Sequence, residues 1–279
     1  MIFVPQHQID QWLLEDIQGG DLTTRSLGIN AVPGLMTFSH RQGGCISGIA
    51  VALRMLHTLG IDARAEVQDG DIVPPGQRLL QARAPADVLH QGWKAVQNVL
   101  EWSCGVSGYL APMLAQLRQH VPDGQIACTR KAIPGTRLLA AQAVIAAGGI
   151  IHRAGCAETV LLFANHRRFW TPSDDWQGMI QRLRTACPEK KIVVEADTPA
   201  EARAALLAGP DVLQLDKFTP EQARDVADFA RGMPCMLALA GGITRATLPD
   251  YLSCGIALFV TSAPYYASPA DIRVKLTPQ

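Results

Sequence analysis

Beyond about residue 120 the sequence alternates short apolar runs with stretches of helical periodicity, and this alternation limits the fold more than any other feature. Thr198-Pro199 and Thr219-Pro220 each supply a helix cap followed by a first-turn proline. Strands that alternate with helices indicate βα units around a parallel sheet, in either a barrel or a doubly wound arrangement. The apolar runs have the length of fully buried strands, and we place them at 125–129, 159–163, 192–196, 212–215, 236–240 and 258–261.

The first part of the chain has a different texture and predicts a small α+β domain. A long helix begins near Pro85, and its polar side carries Lys94, Gln97, Asn98 and Glu101, a spacing that is also typical of a solvated helix face. Ahead of it, a short helix at about 6–16 precedes strand-like pieces at 35–40, 63–67 and 79–82.

Charge and cysteine usage exclude several classes of protein. Lys+Arg and Asp+Glu number 25 each, so a net charge of zero gives no general attraction to nucleic acid or to anionic membranes. The 7 cysteines are scattered without a CxxC pair, which favours free thiols in a reducing compartment. Because the N-terminus lacks a basic region and the longest apolar stretch, 138–151, contains Gln142 and two glycines, we predict a cytoplasmic protein without membrane insertion, with that stretch as a buried helix.

Charged residues close several of the apolar runs in the second part. The carboxyl ends of parallel strands carry the active site in such folds, and a charge there is costly to desolvate unless a ligand compensates it. Arg130 and Lys131 follow one run, while Glu195 and Asp216 lie on two others. Two carboxylates beside two cations indicate a site for a polyanion and Mg²⁺, although either carboxylate alone is also compatible with an ordinary salt bridge.

Three further segments bear on the site. Gly241-Gly242 at a strand end lets backbone N–H groups approach a phosphate. His152-Arg153 follows a Gly-containing apolar segment and would line a wall of the site, but an isolated histidine is more often a satisfied core residue. The basic segment 166–168 is typical of a surface loop in a neutral chain. Zinc spacing, GxGxxG, P-loop and GxSxG motifs are missing from the sequence, which argues against oxidoreductase, P-loop ATPase and hydrolase functions.

The order and spacing of these segments resemble the quinolinate phosphoribosyltransferase family, the carboxylating nicotinate-nucleotide pyrophosphorylases, and more narrowly a branch associated with molybdenum transport. The resemblance covers nearly the whole chain. It rests on Glu15-Asp16, Gly20-Asp21-Leu22-Thr23, Thr129-Arg130-Lys131, Pro134-Gly135, Arg137, His152-Arg153, Gly155, Asn165-His166, Val194-Glu195, Asp197, Leu215-Asp216-Lys217-Phe218 and Gly241-Gly242-Ile243-Thr244.

The resemblance implies an α/β fold in which an N-terminal α+β sandwich domain is joined to an incomplete, TIM-like α/β barrel. We accordingly expect the sandwich over residues 1–110, the barrel over 111–266, and a return of 267–279 to the sandwich. It also implies a homodimer whose sites borrow residues from the partner's N-terminal domain. The implied enzyme is a pentosyltransferase that joins an aromatic acid to phosphoribosyl pyrophosphate with Mg²⁺ and releases pyrophosphate.

By resemblance, each candidate site residue receives a role. Glu195 and Asp216 would hold the metal and the ribose, and Lys131 would meet the pyrophosphate. The 5′-phosphate would be bound by Gly241, Gly242 and Ser262. The residues that would surround the acidic acceptor are Lys94, Arg130, His152, Arg153 and Phe163.

The acceptor half of the site departs from the family pattern. Lys94 stands where the family has an arginine, and Phe163 stands where it has a lysine. Ala164 and Ala240 replace an aspartate and a serine. Lysine lacks the bidentate fork of arginine, and Phe163 removes a cation outright. We therefore predict a phosphoribosyltransferase that acts on an acceptor other than quinolinate, or on quinolinate poorly. Two alternatives stand against this prediction: Phe163 packs into the barrel wall, or the chain is a non-catalytic phosphate- or oxyanion-binding accessory protein of a molybdate uptake system.

Overall fold

The computed structural model describes residues 2–279 as two compact α/β units. The strands are β1 (Pro33–His40), β2 (Gly44–Cys45), β3 (Asp62–Ala65), β4 (Ile72–Val73), β5 (Arg78–Pro85), β6 (Gln125–Cys128), β7 (Ile150–Ile151), β8 (Val160–Leu162), β9 (Ile192–Ala196), β10 (Val212–Asp216), β11 (Met236–Ala240), β12 (Leu258–Thr261) and β13 (Ile272–Pro278). The helices are α1 (Gln6–Leu14), α2 (Leu22–Leu27), α3 (Ile49–Thr58), α4 (Ala86–His120), α5 (Arg137–Ala146), α6 (Ala164–Arg167), α7 (Trp176–Ala186), α8 (Pro199–Leu207), α9 (Pro220–Phe229) and α10 (Leu248–Tyr251), with a 3-10 turn at Ala263–Tyr266.

The first unit contains the residues up to Ala111 together with Ala132–Gly148 and Pro264–Gln279. Its antiparallel sheet has the order β13-β1-β5-β3, so the last strand of the chain pairs with the first. Leu89, Val96 and Leu100 on one side of α4 are buried in a core shared with this sheet and α3. The helical spacing of Leu89, Trp93, Val96 and Leu100 in the sequence predicts this buried side of α4, and Trp93 is partly buried against the same core.

The second unit, Pro112–Lys131 with Gly149–Ala263, is an incomplete parallel barrel. Its seven strands have the order β7-β6-β12-β11-β10-β9-β8, and each adjacent pair is parallel. The β6–β12 step brings the first long strand beside the last, as in a barrel and unlike a doubly wound sheet. Because β7 and β8 are the two edges of the sheet, the ring stays open between them. The predicted incomplete barrel with an N-terminal sheet domain is confirmed.

The interior of the barrel is lined by small side chains. Strand residues that alternate along β10 and β11 place Val212, Ala238 and Ala240 in one buried cluster with Ala127 and Val260. Three of these five residues are alanines, whose side chains fill less of a barrel interior than larger residues would. Ala240 is the last residue of β11, at the carboxyl ends of the strands, where the functional residues were predicted.

The apolar stretch 138–151 differs from the single buried helix that its composition predicts. Helix α5 ends at Ala146, and Gly148 adopts a φ of 82°, which turns the chain into β7. A left-handed glycine ends a helix readily because it has no Cβ. No helix within residues 2–279 has both the length and the apolar composition needed to cross a membrane.

Candidate active site

A cavity of about 430 Å³ lies at the carboxyl ends of the barrel strands. A volume of this size suits a small-molecule ligand. Ten of the eleven predicted site residues line the cavity: Arg130, Lys131, His152, Arg153, Phe163, Glu195, Asp216, Gly241, Gly242 and Ser262. The eleventh, Lys94, belongs to the first unit.

Lys94 is part of a hydrogen-bonded row along α4. Its Nζ donates to Gln97 Oε1 at 2.8 Å and lies 4.1 Å from the ring centroid of Trp93. Gln97 Nε2 in turn donates to Glu101 Oε1 at 3.0 Å. This side of the helix is thus internally paired rather than simply solvated, and the role of Lys94 toward the acceptor stays a prediction.

Glu195 is the most perturbed carboxyl of the cavity. It lies on β9 beside Gln214 of β10, and Gln214 Nε2 donates to Glu195 Oε2 at 2.5 Å. Burial, and after it the negative charge of Asp216, raises the pKa of Glu195 to about 7, while the Gln214 hydrogen bond and Lys131 oppose the rise. The free protein therefore holds a carboxylate pair whose repulsion is only partly relieved by its neighbours.

Positive charge dominates the rest of the lining. Arg130, Lys131, Arg153 and Lys217 are four cationic side chains in the cavity that holds Glu195 and one further carboxylate, Asp216. An excess of cations over a concave surface attracts polyanions such as phosphorylated sugars. The cavity is thus suited to a ligand with several negative charges.

Arg153 and His152 form one wall. Arg153 is 8% exposed, and its Nη2 donates to the carbonyl oxygens of Cys156 at 3.1 Å and Thr159 at 3.4 Å, while its buried Nε lacks a hydrogen-bond partner within residues 2–279. Burial, followed by the charge of Arg153, lowers the pKa of His152. His152 is therefore neutral at physiological pH and can orient an acidic ligand through a hydrogen bond rather than through charge.

The conformation of the Gly241-Gly242 loop is fixed by two left-handed glycines and by a hydrogen bond from Thr261. The two glycines have φ values of 80° and 78°, which other residues rarely adopt. Thr261 Oγ1 donates to the carbonyl of Ile243 at 2.6 Å and so ties the loop to the end of β12, next to Ser262. A loop of this kind can present backbone N–H groups to a phosphate.

Phe163 follows β8 directly and is half-buried in the cavity lining. Its ring stacks on His166, with centroids 5.7 Å apart and an interplanar angle of 19°. The Phe163 N–H also donates to His166 Nδ1 at 3.1 Å. The ring therefore forms part of the cavity surface, and its role toward the acceptor stays a prediction.

Among the lining residues that were not predicted site residues, Gln214 and Lys217 place polar groups beside the two carboxylates. Gln214 is 4% exposed, and the same-face spacing of Gln214 and Asp216 within one apolar run could have revealed it. Lys217 follows Asp216 immediately, and its Nζ lies 3.5 Å from Asp216 Oδ2. The sequence contained no indication of the backbone conformation that directs Lys217 into the cavity.

The carboxylate pair has the chemistry of a partial magnesium site. No cluster of three or more His, Cys, Asp or Glu side chains suited to a metal occurs within residues 2–279. Mg²⁺ is commonly held by one or two carboxylates together with substrate phosphates. Burial and then the charge of Asp216 raise the pKa of Glu195, and a divalent cation bound between the two carboxyls would favour their ionised forms. The residues present therefore fit a metal that arrives with a phosphorylated ligand.

The sequence matches the models of one protein family and the sequences of several of its members. Residues 21–104 match the model of the N-terminal domain of quinolinate phosphoribosyl transferase, and residues 106–275 match the model of its C-terminal domain. The chain is 66% identical over 280 residues to the protein ModD of Escherichia coli O6:H1, with 100% of this chain and 99% of the relative covered. ModD of Pasteurella multocida is 44% identical over 281 residues, with 100% of both chains covered. The human nicotinate-nucleotide pyrophosphorylase (carboxylating) is 26% identical over 272 residues, with 96% of this chain and 90% of the relative covered.

Solved structures support the fold. The nicotinate-nucleotide pyrophosphorylase from Francisella tularensis superposes with a TM-score of 0.90 at 22% identity, covering 99% of this chain and 98% of that one. At this level of identity the likeness concerns the arrangement of helices and strands. The family matches favour a transferase over the non-catalytic accessory protein that the sequence left open.

Proposed function

Because this chain belongs to the quinolinate phosphoribosyltransferase family, we propose that it transfers a phosphoribosyl group from phosphoribosyl pyrophosphate to a ring nitrogen of an aromatic acid that carries less negative charge than quinolinate. The observation that carries this proposal is the composition of one cavity. The Glu195–Asp216 pair, Lys131, the Gly241-Gly242 loop and Phe163 all line it. The first three would bind a sugar diphosphate, and Phe163 would face the acceptor.

In the proposed reaction the ring nitrogen displaces pyrophosphate at the anomeric carbon, through a transition state with oxocarbenium character. Such a step needs the charge of the leaving group neutralised and the two reactants aligned, but it needs no nucleophilic side chain. Lys131 neutralises the diphosphate, and Gly241-Gly242 with Ser262 anchor the 5′-phosphate. Mg²⁺ bound with the donor supplies further charge neutralisation. Glu195 and Asp216 would hold that ion and the ribose.

The acceptor is the part of the proposal that departs from the family. An aromatic ring at Phe163 offers a stacking surface, worth about 0.5 to 1.5 kcal/mol beyond burial for an aromatic ligand, but no charge compensation. A second carboxylate placed against this ring would be desolvated without a partner, at a cost of roughly several kcal/mol. Arg130 and Arg153 line the cavity and suffice for one carboxylate. A monocarboxylic pyridine is therefore the preferred class of acceptor.

The first experiment measures pyrophosphate release with phosphoribosyl pyrophosphate, Mg²⁺ and a panel of pyridine mono- and dicarboxylates. We expect release with a monocarboxylate at a higher kcat/KM than with quinolinate. The absence of release with every acceptor would refute the transferase assignment. Efficient use of quinolinate would refute only the altered acceptor.

The second experiment restores the family's cations. Phe163→Lys, combined with Lys94→Arg, is expected to raise kcat/KM for quinolinate by at least about tenfold, equivalent to roughly 1.4 kcal/mol of transition-state binding. Phe169→Lys is the matched control, because Phe169 is 95% exposed and does not line the cavity. An unchanged rate in the double variant would contradict the role given to Phe163.

The proposal also includes a homodimer and a cytoplasmic location. Leu22, Leu27, Ile29 and Val32 expose 63%, 67%, 37% and 40% of their surface in one short segment of the first unit, which supports a contact with a second copy of the chain. In a homodimer, Lys94 would belong to the site of the partner subunit. The seven cysteines are all free thiols, which supports a location in the reducing cytoplasm.

A further inference from the structure

Lys217 has an unusual backbone conformation. Its φ of 59° is the one positive value among the non-glycine residues within 2–279. Asparagine and aspartate tolerate this region through local hydrogen bonds of their short side chains, whereas lysine gains no such compensation. Strained residues of this kind persist where the surrounding structure holds them, and they concentrate at ligand sites.

The surroundings explain how the strain is held. The Lys217 N–H donates to the carbonyl of Ala240 at 2.8 Å, which ties the end of β10 to the end of β11. A Cβ added at Gly241 would lie 2.5 Å from Lys217 Cγ and 2.6 Å from Asp216 Oδ1. The aliphatic stem of Lys217 therefore crosses directly over Gly241, on the loop suited to a phosphate.

The charged end of Lys217 is available to a ligand. Its Nζ lies 3.5 Å from Asp216 Oδ2, but the Lys217 side chain is 80% exposed. An exposed ion pair of this kind contributes little to stability and is screened by salt. The ammonium can therefore leave Asp216 for a doubly charged phosphoryl group at small cost, and it already lines the cavity.

We propose that Lys217 is a phosphate-binding residue that pairs with Asp216 in the free protein and moves to a phosphoryl group of the bound sugar donor. The inference deepens the proposed function and rests on it for the identity of the donor. Two phosphoryl groups have the required chemistry, the diphosphate and the 5′-phosphate. The left-handed backbone at residue 217 then serves to direct the lysine side chain across Gly241, which an extended backbone would not do.

The test compares Lys217→Asn, which tolerates the left-handed backbone but has no charge, with Lys217→Arg, which keeps the charge. Pyrophosphate and ribose 5-phosphate are titrated separately by calorimetry at low and high salt. We expect Lys217→Asn to weaken one of the two ligands about tenfold at low salt and less at high salt, while Lys217→Arg stays within about threefold of the wild type. The affected ligand identifies the phosphoryl group. Lys217→Asn should also raise the Tm by about 2 °C because strain is relieved.

Lys190→Asn is the matched control, because Lys190 is exposed and precedes β9 at the opposite end of the barrel. An unchanged affinity of Lys217→Asn for both ligands would overturn the inference. A loss of affinity in Lys217→Arg as large as that in Lys217→Asn would overturn it as well. A wild-type protein that binds these ligands in a Lys217-dependent way, yet releases no pyrophosphate with any acceptor, would overturn the transferase but not the inference. A wild-type protein that binds neither ligand would overturn both.

Discussion

Replacing Glu195 by glutamine should stabilise the free protein and abolish its proposed metal binding at the same time. A carboxyl whose pKa rises from its ordinary 4.5 to about 7 in the folded state destabilises that state when it ionises. The stability associated with the protonated form is fully present below pH 4.5 and is lost as the pH rises through 7. Glu195→Gln removes this loss, because glutamine cannot ionise.

The magnitude follows from the pKa difference and from the hydrogen bond to Gln214. Without solvent screening, the pKa shift would destabilise the folded wild type by about 3 kcal/mol at pH 8.5, where it acts in full. At pH 5 the same shift would cost less than about 1 kcal/mol. Gln214 Oε1 is buried without a hydrogen-bond partner within residues 2–279, so a glutamine at 195 can donate to it and fill the same space. Glu195 is only about half-buried, so solvent screening reduces this figure, and the free energy of unfolding of Glu195→Gln should exceed that of the wild type by roughly 1 to 2 kcal/mol at high pH.

The assay is urea denaturation at pH 5 and pH 8.5 with a chelator present, so that no divalent cation screens the pair. Glu189→Gln serves as control, because Glu189 is exposed. Added Mg²⁺ with pyrophosphate should then stabilise the wild type but not Glu195→Gln. An equal free energy of unfolding for variant and wild type at pH 8.5, or a gain that is the same at both pH values, would refute the electrostatic reasoning.

Three further predictions concern the metal, the loop and the assembly. Asp216→Ala should lower Mg²⁺-dependent binding of pyrophosphate at least about tenfold in calorimetry while the barrel keeps its thermal stability, and retained affinity would contradict the carboxylate role. Gly241→Ala should lower the Tm by more than about 5 °C, since its Cβ would lie 2.5 Å from Lys217 Cγ, whereas Gly242→Ala, with the same sign of φ but open space around it, should lose only about half as much. If both alanines cost the same, the close approach at Gly241 is not what constrains the loop. Mixing inactive Lys94→Ala with inactive Glu195→Ala subunits should recover part of the activity through hybrid dimers, and mixtures without recovery would show that each site is self-contained.

Much of the barrel could be predicted from local sequence. Strands 192–196, 236–240 and 258–261 were predicted with the bounds that β9, β11 and β12 have, because each is a short apolar run between turn residues. Helix α8 also begins at its predicted proline, where Thr198 Oγ1 accepts the N–H of Glu201 at 3.2 Å. Strand β7 was missed because its two residues continue the apolar composition of α5.

The site was predictable to the extent that its residues close strands. A charge at the end of an apolar run is conspicuous, and the parallel sheet gathers such charges at one edge. Lys217 also closes an apolar run, but its backbone conformation was not predictable, because a left-handed backbone at a lysine depends on the neighbouring strand end at Ala240 rather than on local preference. The pairing of Gln214 with Glu195 was also not predictable, since the strand register that sets the two side by side is a tertiary property.

The opening in the barrel bears on how such a site can evolve. Phe163 and His152 follow β8 and β7, the two edge strands, each of which has a hydrogen-bonded neighbour on one side only. The two carboxylates lie on strands that are paired on both sides, and the phosphate loop follows another such strand. A substitution at an edge disturbs a single ladder, whereas a substitution between two ladders disturbs both. Substitutions at the two edge strands can therefore change the acceptor while the residues that bind the sugar donor stay intact. One fold can in this way support several phosphoribosyl transfers through changes beside the opening between β7 and β8.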